Sequence, residues 1–168
     1  MLTIKQCKTE QDFAVAAELM AELSAWDSAE TAKLGFTVES VLDFYYSDTS
    51  GLPDPNANSG ELSLLGYAGS EAGGCIGYRT LEPAICELKR LYVRPTFRRT
   101  GLGQALVASL ILHAKAAGYK RMRLETVSFM TGAIRMYESN GFVRRPPYYD
   151  IPECFLPITV FMEMNIEG

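Results

Sequence analysis

The stretch from Arg98 to Gly103 reads R-R-T-G-L-G and contains the residue types that bind phosphate groups. Gly101 and Gly103 have no Cβ, so the backbone amides beside them can approach a ligand closely. Arg98 and Arg99 bring two positive charges to the same turn. If the turn opens a helix, the unpaired N–H groups and the dipole of that helix also favour an anion. The stretch therefore predicts a binding site for a pyrophosphate.

Two common phosphate-binding turns do not fit this stretch. The Walker turn, G-x-x-x-x-G-K-S/T, requires a Lys followed by Ser or Thr, and neither follows Gly103. The dinucleotide fingerprint, G-x-G-x-x-G, requires glycine where this chain has Leu106. That fingerprint also follows an early first strand, whereas this turn lies in the middle of the chain. The turn belongs to neither class.

The elements on either side place the turn between a strand and a helix. The run from Ile85 to Val93 is rich in β-forming residues and ends before Pro95, which cannot donate to a ladder. From Leu102 to Gly118 apolar residues recur at helical spacing. The run from Arg121 to Val127 predicts a second strand, parallel to the first. A ligand of such a unit binds at the carboxyl ends of its strands.

The turn also matches a third pattern, the acetyl-CoA motif Q/R-x-x-G-x-G/A of the GNAT superfamily of N-acetyltransferases, through Arg98, Gly101 and Gly103. The chain resembles that superfamily in two further segments, E-L-K-R-L-Y-V before the turn and A-I-R-M-Y-E-S-N-G-F after it. The resemblance is strongest over residues 85–145. It implies an α/β fold: a mixed sheet of about six to seven strands with helices on both faces and a central parallel βαβ unit whose strands splay apart.

The resemblance implies that the chain transfers an acetyl group from acetyl-CoA to a primary amine by direct attack in a ternary complex. The cofactor residues that it assigns are Leu91, Tyr92, Val93, Arg98, Arg99, Thr100, Gly101, Leu102, Gly103 and Gln104. Backbone groups of the first three would bind the pantetheine arm, and the Leu91 N–H would stabilise the oxyanion. Many members carry Asn where this chain has Met130, so one cofactor contact is lost. The alternative is a non-catalytic module that binds or senses acyl-CoA.

Acyl transfer to an amine needs a base for the amine and an acid for the leaving thiolate. We predict Glu87 as the base, because it lies on the strand that walls the cleft and a cleft carboxylate has a raised pKa. Glu87 could instead pair with Arg79 or Arg123. Glu125, on the neighbouring strand, is the rival base. The resemblance places Tyr137 at the general-acid position, although a tyrosine on a core-facing helix can serve packing alone.

The acceptor is expected to be a small-molecule or peptide amine. In the family the first two helices help to wall its pocket, which makes Trp26, Phe44 and Tyr45 candidate substrate contacts. Tyr148 and Tyr149 follow two prolines in a loop that often closes over the acceptor in this family. Aromatic faces suit a cationic amine. All five side chains could equally serve packing.

Elsewhere the patterns predict local structure. Thr9 with Asp12 is a capping pair for a helix through about Ser24. A second helix is expected from Thr37 to about Tyr46, and Trp26 to Gly35 is a connection of uncertain structure between the two. Residues 69–74 form a loose loop between two strands, and residues 48–60 form a surface insertion. The last strand, residues 158–166, is expected at an exposed edge, where it could pair with a second subunit in a homodimer.

Composition limits the remaining possibilities. The 168 residues, 48% apolar and 21% charged, predict one globular domain over residues 1–168. A net charge of −4 argues against a nucleic-acid surface. Four scattered cysteines and one histidine suggest neither a metal site nor a disulfide framework. No apolar run is long enough to span a membrane or direct secretion, so we expect a cytoplasmic protein with no membrane partner.

Overall fold

The computed structural model describes residues 1–46 and 60–167 and contains one mixed sheet with four helices. The strands are β1 (Leu2–Gln6), β2 (Glu61–Ala68), β3 (Glu71–Glu82), β4 (Ile85–Val93), β5 (Arg121–Val127), β6 (Val143–Arg145) and β7 (Thr159–Asn165). The helices are α1 (Glu10–Ala32), α2 (Val38–Tyr45), α3 (Leu102–Ala116) and α4 (Thr131–Ser139). Short 3₁₀ turns lie at Pro95–Phe97 and Glu153–Ile158. The predicted insertion at residues 48–60 falls almost entirely outside the described residues.

The seven strands lie in the order β1-β2-β3-β4-β5-β7-β6. Each neighbouring pair is antiparallel except β4 and β5, which are parallel and are joined through α3, as predicted. The expectation that the last strand is an exposed edge is wrong. β7 lies inside the sheet, paired with both β5 and β6, so its backbone groups are already in ladders. β7 therefore has no free edge with which to pair with a second subunit in a homodimer.

Helices cover both faces of the sheet, as predicted. On one face α3 buries Leu102, Leu106 and Leu110 completely, in a single row at i, i+4 spacing. α4 adds Tyr137 to the same core. On the other face α1 buries Leu19 together with further apolar residues against β2, β3 and β4. Burial of these side chains fixes which face of each strand is covered by which helix.

Helix α1 is eight residues longer than predicted. The capping box between Thr9 and Asp12 begins it, as expected. The apolar periodicity fails after Ser24 because the last two turns bury the polar residues Asp27, Ser28 and Thr31. No Gly or Pro interrupts this stretch, so the backbone stays helical. The segment from Trp26 to Gly35, expected to be a connection of uncertain structure, is therefore helical as far as Ala32.

The hairpin between β2 and β3 is tighter than predicted. Its turn is Gly69-Ser70, with Ala68 paired directly to Glu71 and a positive φ at Gly69. Gly73 and Gly74, expected in a loop, belong to β3. A Cβ at Gly73 would lie 2.7 Å from the Leu102 side chain, and one at Gly74 would lie 2.5 Å from the Tyr92 carbonyl oxygen. These glycines allow α3 and β4 to pack close to β3.

Three further observations bear on the chemistry open to the chain. The four cysteines are free thiols, and only Cys154 is exposed. Within residues 1–46 and 60–167, no group of three or more His, Cys, Asp or Glu side chains is placed to hold a metal ion. Of the helices in the described part, none combines the length and the apolar character needed to cross a membrane.

The α3 row predicts a stability difference between two leucines of one helix. Leu106→Ala removes a fully buried side chain and should lower the free energy of unfolding by about 2–5 kcal/mol. Leu112→Ala, at a position that is 66% exposed, should change it by less than about 0.5 kcal/mol. Urea denaturation followed by circular dichroism measures both. Equal effects of the two substitutions would contradict the assigned packing face of α3.

Candidate active site

The central feature of the site is the gap between β4 and β5, two strands that lie wholly within the described part of the chain. The strands pair only at Ile85 with Arg121, Cys86 with Met122 and Glu87 with Arg123. Beyond Glu87 the nine-residue β4 continues to Val93 without pairing to β5. The carboxyl ends of the two parallel strands therefore separate, as predicted, and leave room for a ligand between them.

A β-bulge aims the end of β4 into this gap. Cys75 of β3 pairs with Tyr92, but Gly77 pairs with Lys89, so two residues of β4 face one of β3. Arg90, one of the two, has a φ of 59°, in the left-handed region that non-glycine residues rarely adopt. Bulges redirect side chains next to binding sites. Because β4 has one extra residue here, Leu91 lies on the opposite face of the sheet from the one that regular alternation after Lys89 would give it.

A cleft of about 660 Å³ opens on one side of the gap. It is lined by the end of β4, the turn before α3, the start of α4 and two side chains of α1. The cleft contains eight of the ten predicted cofactor residues: Leu91, Tyr92, Val93, Arg98, Arg99, Gly101, Gly103 and Gln104. The side chain of Leu102 is fully buried in the core, and the Thr100 hydroxyl donates to the Phe97 carbonyl oxygen, so these two can offer a ligand only backbone groups.

The predicted phosphate turn opens helix α3. Gly101 is the N-cap with a φ of 88°, a conformation that favours glycine. The Arg98 guanidinium donates to the Val93 carbonyl oxygen and lies 5.8 Å from the centre of the Trp26 ring. Arg94, also part of the local arginine cluster, points away and forms 2.7 Å ion pairs with Glu18 and Glu22 of α1. It ties α1 to β4 and does not line the cleft.

A second cavity of about 80 Å³ lies between the two strands, with residues of both β4 and β5 in its lining. The residues around it are Leu23, Asp27, Tyr45, Tyr46, Leu88, Arg90, Leu91, Glu125, Thr126, Val127, Met130 and Tyr137. Three of these, Leu23, Leu91 and Met130, also line the larger cleft. The two spaces therefore adjoin each other along these three residues, beside the gap between β4 and β5.

Glu87, the predicted base, is buried and lines neither space. Its Oε1 accepts from Nε of Arg79 at 3.0 Å, the pairing that the sequence left open as an alternative. Its Oε2 accepts from the hydroxyl of Tyr148. Both carboxylate oxygens are therefore occupied by neighbouring side chains.

Glu125, the rival base, lines the small cavity. Its Oε2 is buried and has no hydrogen-bond partner among the described residues. Burial raises the pKa of this carboxyl to about 7, and the charge of Glu87 adds to the rise, while Lys89, Arg90 and Arg79 oppose it. A carboxyl with this pKa exchanges protons readily at neutral pH.

Tyr137 reaches the small cavity from α4 and is 5% exposed. Its ring packs edge-on against Phe142 at 5.7 Å, and its carbonyl oxygen accepts from the Phe142 N–H across the turn at Gly141. The spacing Y-x-x-N-G-F thus orients the tyrosine. Burial raises the pKa of the phenol well above its usual value, so the hydroxyl stays protonated at neutral pH.

The predicted acceptor residues separate into three places. Trp26 lies in the larger cleft against Phe129, because α1 extends past it. Tyr45 lines the small cavity. Tyr148 and Tyr149 line neither space and pack against Phe161 of β7. Phe44 stacks on Phe155 with ring centres 4.6 Å apart. Of the predicted aromatic set, Tyr45 is the one that shares the lining of the small cavity with Glu125.

The sequence analysis missed two charged residues of the small cavity, Asp27 and Arg90. Asp27 was assigned to a connection because the apolar pattern of α1 stops before it. The uninterrupted helix-compatible sequence up to Gly35 was the signal that could have placed it on α1. Arg90 enters the cavity lining through the bulge, which leaves no signal in the alternation of β4.

Known proteins share this sequence pattern. Residues 17–142 match the model of the acetyltransferase (GNAT) family. An uncharacterized N-acetyltransferase of Schizosaccharomyces pombe is 38% identical over 94 residues, 55% of this chain and 56% of that protein. One from Escherichia coli is 34% identical over 138 residues, 80% of this chain and 78% of that protein. The chain thus spans just over half the length of the first of these relatives.

Solved structures share the fold. A Klebsiella pneumoniae protein assigned as an acyl-CoA N-acyltransferase has a TM-score of 0.73 and 26% identity, with 99% of each chain covered. A Bacillus anthracis protein assigned as a streptothricin acetyltransferase was solved in complex with acetyl coenzyme A. It has a TM-score of 0.57 and 17% identity over 66% of this chain and 65% of that one. The predicted resemblance and fold class are confirmed, and this chain belongs to the GNAT family of acyltransferase enzymes.

Proposed function

We propose that this chain transfers an acetyl group from acetyl-CoA to a primary amine by direct attack in a ternary complex. The observation that carries the proposal is the meeting of the larger cleft and the small cavity at Leu23, Leu91 and Met130. A donor in one space and an acceptor in the other can be bound at once, with their reacting groups in contact. Family membership and the acetyl-CoA complex of the Bacillus anthracis protein support the choice of donor.

The larger cleft fits coenzyme A by its chemistry. Arg98, Arg99 and the amides at the start of α3 would bind the pyrophosphate. The unpaired edge of β4 from Leu91 to Val93 would bind the amides of the pantetheine arm. Acetyl-CoA supplies a reactive thioester. The Leu91 N–H is the proposed donor to the oxygen on which negative charge develops.

We assign the base to Glu125 in preference to Glu87. Glu125 lines the small cavity with a buried, unpartnered oxygen, whereas both oxygens of Glu87 are bonded to Arg79 and Tyr148. Glu125 accepts a proton from the acceptor ammonium, R–NH₃⁺. The lone pair of the resulting amine attacks the thioester carbonyl carbon, so that the C–N bond forms and the C–S bond breaks.

Tyr137 is the proposed acid for the departing sulfur. Its phenol is protonated at neutral pH and lines the small cavity next to the shared residues Leu91 and Met130. A thiol has an ordinary pKa near 8.5, below that of the phenol, so the hydroxyl stabilises the departing thiolate by donating a hydrogen bond to it. The second proton of the attacking nitrogen, lost as the amide forms, ends on the sulfur with the Tyr137 hydroxyl as its relay. Overall, R–NH₃⁺ and acetyl-CoA give the amide, coenzyme A and one proton.

Cofactor binding is tested by Gly103→Asp. A Cβ at Gly103 would lie 3.3 Å from the flexible Met136 side chain, and an acidic residue in the first turn favours the helix, so the fold should persist. Repulsion of the pyrophosphate should weaken coenzyme A binding about 30-fold or more in isothermal titration. Ala108→Asp, on the exposed side of α3, is the matched control and should bind normally. If Gly103→Asp binds coenzyme A with unchanged affinity, the pyrophosphate does not bind at this turn.

The assignment of the base is tested by pH profiles of kcat/KM. The wild type should gain activity as the pH rises through about 7, because Glu125 must lose its proton to act. Glu125→Gln should lower kcat about 100-fold or more and abolish this inflection. Glu87→Gln should stay active with its inflection at lower pH, because the charge of Glu87 raises the pKa of Glu125.

The opposite pattern, an inactive Glu87→Gln and an active Glu125→Gln, would show Glu87 to be the base. Wild-type protein that binds coenzyme A but acetylates no amine across a broad panel would instead favour the non-catalytic acyl-CoA-binding module.

The role of Tyr137 is tested by Tyr137→Phe. The ring still packs against Phe142, so stability should change little, whereas kcat should fall about 100-fold at unchanged KM for acetyl-CoA. Tyr78→Phe, in the same core but away from both spaces, is the matched control and should keep its kcat. A fully active Tyr137→Phe enzyme would leave Tyr137 with a packing role alone.

A further inference from the structure

Asp27 of α1 is a buried carboxylate that the mechanism above does not use. It is 4% exposed and lines the small cavity. Its Oδ2 accepts from the hydroxyl of Tyr46 at 2.9 Å, whereas its Oδ1 is buried with no hydrogen-bond partner among the described residues. A buried carboxylate oxygen without a partner is costly, and such an oxygen in a cavity wall points to a ligand that donates to it.

The charges around the small cavity favour a cation. The charged side chains in its lining are Asp27, Glu125 and Arg90. The Arg90 guanidinium lies 4.5 Å from the centre of the Tyr46 ring, and its Nη1 donates to the Tyr45 carbonyl oxygen at 3.1 Å. With both carboxylates ionised, these three described side chains carry one net negative charge. An ammonium group would neutralise it and donate to Oδ1 of Asp27 and Oε2 of Glu125.

The size of the cavity restricts what can carry that ammonium. Its volume of about 80 Å³ is roughly an eighth of the 660 Å³ of the larger cleft, so it suits the narrow end of a molecule. Leu23, Leu88 and Val127 supply an apolar wall that suits methylenes. A chain branched at the carbon that bears the nitrogen, as in an α-amino acid, needs more of this space than an unbranched one.

We propose that Asp27 and Glu125 form a cation subsite for the terminal ammonium of an unbranched alkylamine, and that Asp27 is the residue that determines this acceptor specificity. The inference rests on the proposed transferase function, since it names the class of amine that enters the same site. A free alkylamine and the side chain of a peptide lysine share this chemistry. Burial raises the pKa of Asp27, while the Tyr46 hydroxyl and the charge of Arg90 oppose the rise, and a bound ammonium favours the ionised carboxylate further. In that state Asp27 holds an N–H of the attacking nitrogen, while Glu125 exchanges the proton.

The experiment compares three acceptors at saturating acetyl-CoA: n-pentylamine, Nα-acetyl-lysine methylamide and alanine methylamide. The two unbranched amines represent the free and the peptide source, and the third carries its ammonium on a branched carbon. The wild type should use at least one unbranched amine with a kcat/KM about tenfold or more above that of alanine methylamide. A preference for alanine methylamide would overturn the proposal without any variant.

Asp27→Asn keeps the size of the side chain and removes its charge. It should raise KM for the preferred unbranched amine about 30-fold, with kcat within about threefold of wild type, because Glu125 and Tyr137 remain in place. Glu39→Gln, the same kind of charge removal on the exposed surface of α2, is the matched control and should change neither constant. An unchanged KM in folded Asp27→Asn would overturn the role of Asp27.

A binding measurement separates this inference from the proposed function. Calorimetric titration of n-pentylammonium into the protein saturated with coenzyme A should show binding that Asp27→Asn abolishes. If that binding is found but no amine is acetylated, the cation subsite stands and the transferase function fails. If other amines are acetylated but n-pentylammonium does not bind, the transferase function stands and the subsite is refuted.

Discussion

The site depends on one constraint in the sheet, the early end of pairing between β4 and β5. The two strands form a parallel ladder only as far as Glu87 and Arg123. If the ladder continued, it would satisfy the backbone of both strands and close the sheet. Because it stops, the end of β4 offers an unpaired edge, and the bulge at Arg90 presents Leu91 to both the cleft and the small cavity. Both spaces exist because the strands part.

Helix α1 completes the site by closing the open side of the gap. It lies against β4 through an apolar face and through the ion pairs of Arg94 with Glu18 and Glu22. Its last two turns are polar and buried, and they carry Asp27 to the small cavity. Across the cavity Glu125 is held at a pKa near 7 by burial and by the charge of Glu87. The site therefore combines an apolar junction with two carboxylates, which is what the proposed transfer from a thioester to an amine requires.

The parts of the fold that sequence could predict are those with strong local signals. Pro95, Gly101, Gly118 and Gly141 mark the ends of elements, and apolar periodicity fills the segments between them. Hence both ends of β5, Arg121 and Val127, were predicted correctly. The last turns of α1 were missed because a helix that lines a polar cavity loses its amphipathic pattern, and such conflicts concentrate at functional sites. The motif likewise predicted a phosphate-binding turn at the start of α3 but said nothing of Asp27.

Side-chain partners were beyond the reach of sequence for a different reason. Glu87 and Glu125 are both strand glutamates next to apolar residues, and alternation alone does not tell which one is engaged by neighbours. The choice depends on long-range contacts, since Tyr148 reaches Glu87 from a loop 61 positions away in sequence. Only the folded arrangement shows that Oε2 of Glu125 has no hydrogen-bond partner within residues 1–46 and 60–167, whereas Oε2 of Glu87 is bonded to Tyr148.

The most direct test of the account is a crystal structure of the protein with coenzyme A, in which the position of the sulfur atom is measured. The account predicts the pyrophosphate at the start of α3, the pantetheine arm along Leu91–Val93, and the sulfur within about 4 Å of the Tyr137 hydroxyl at the junction of the two spaces. A cofactor bound elsewhere, or a sulfur separated from both Tyr137 and the small cavity, would contradict it.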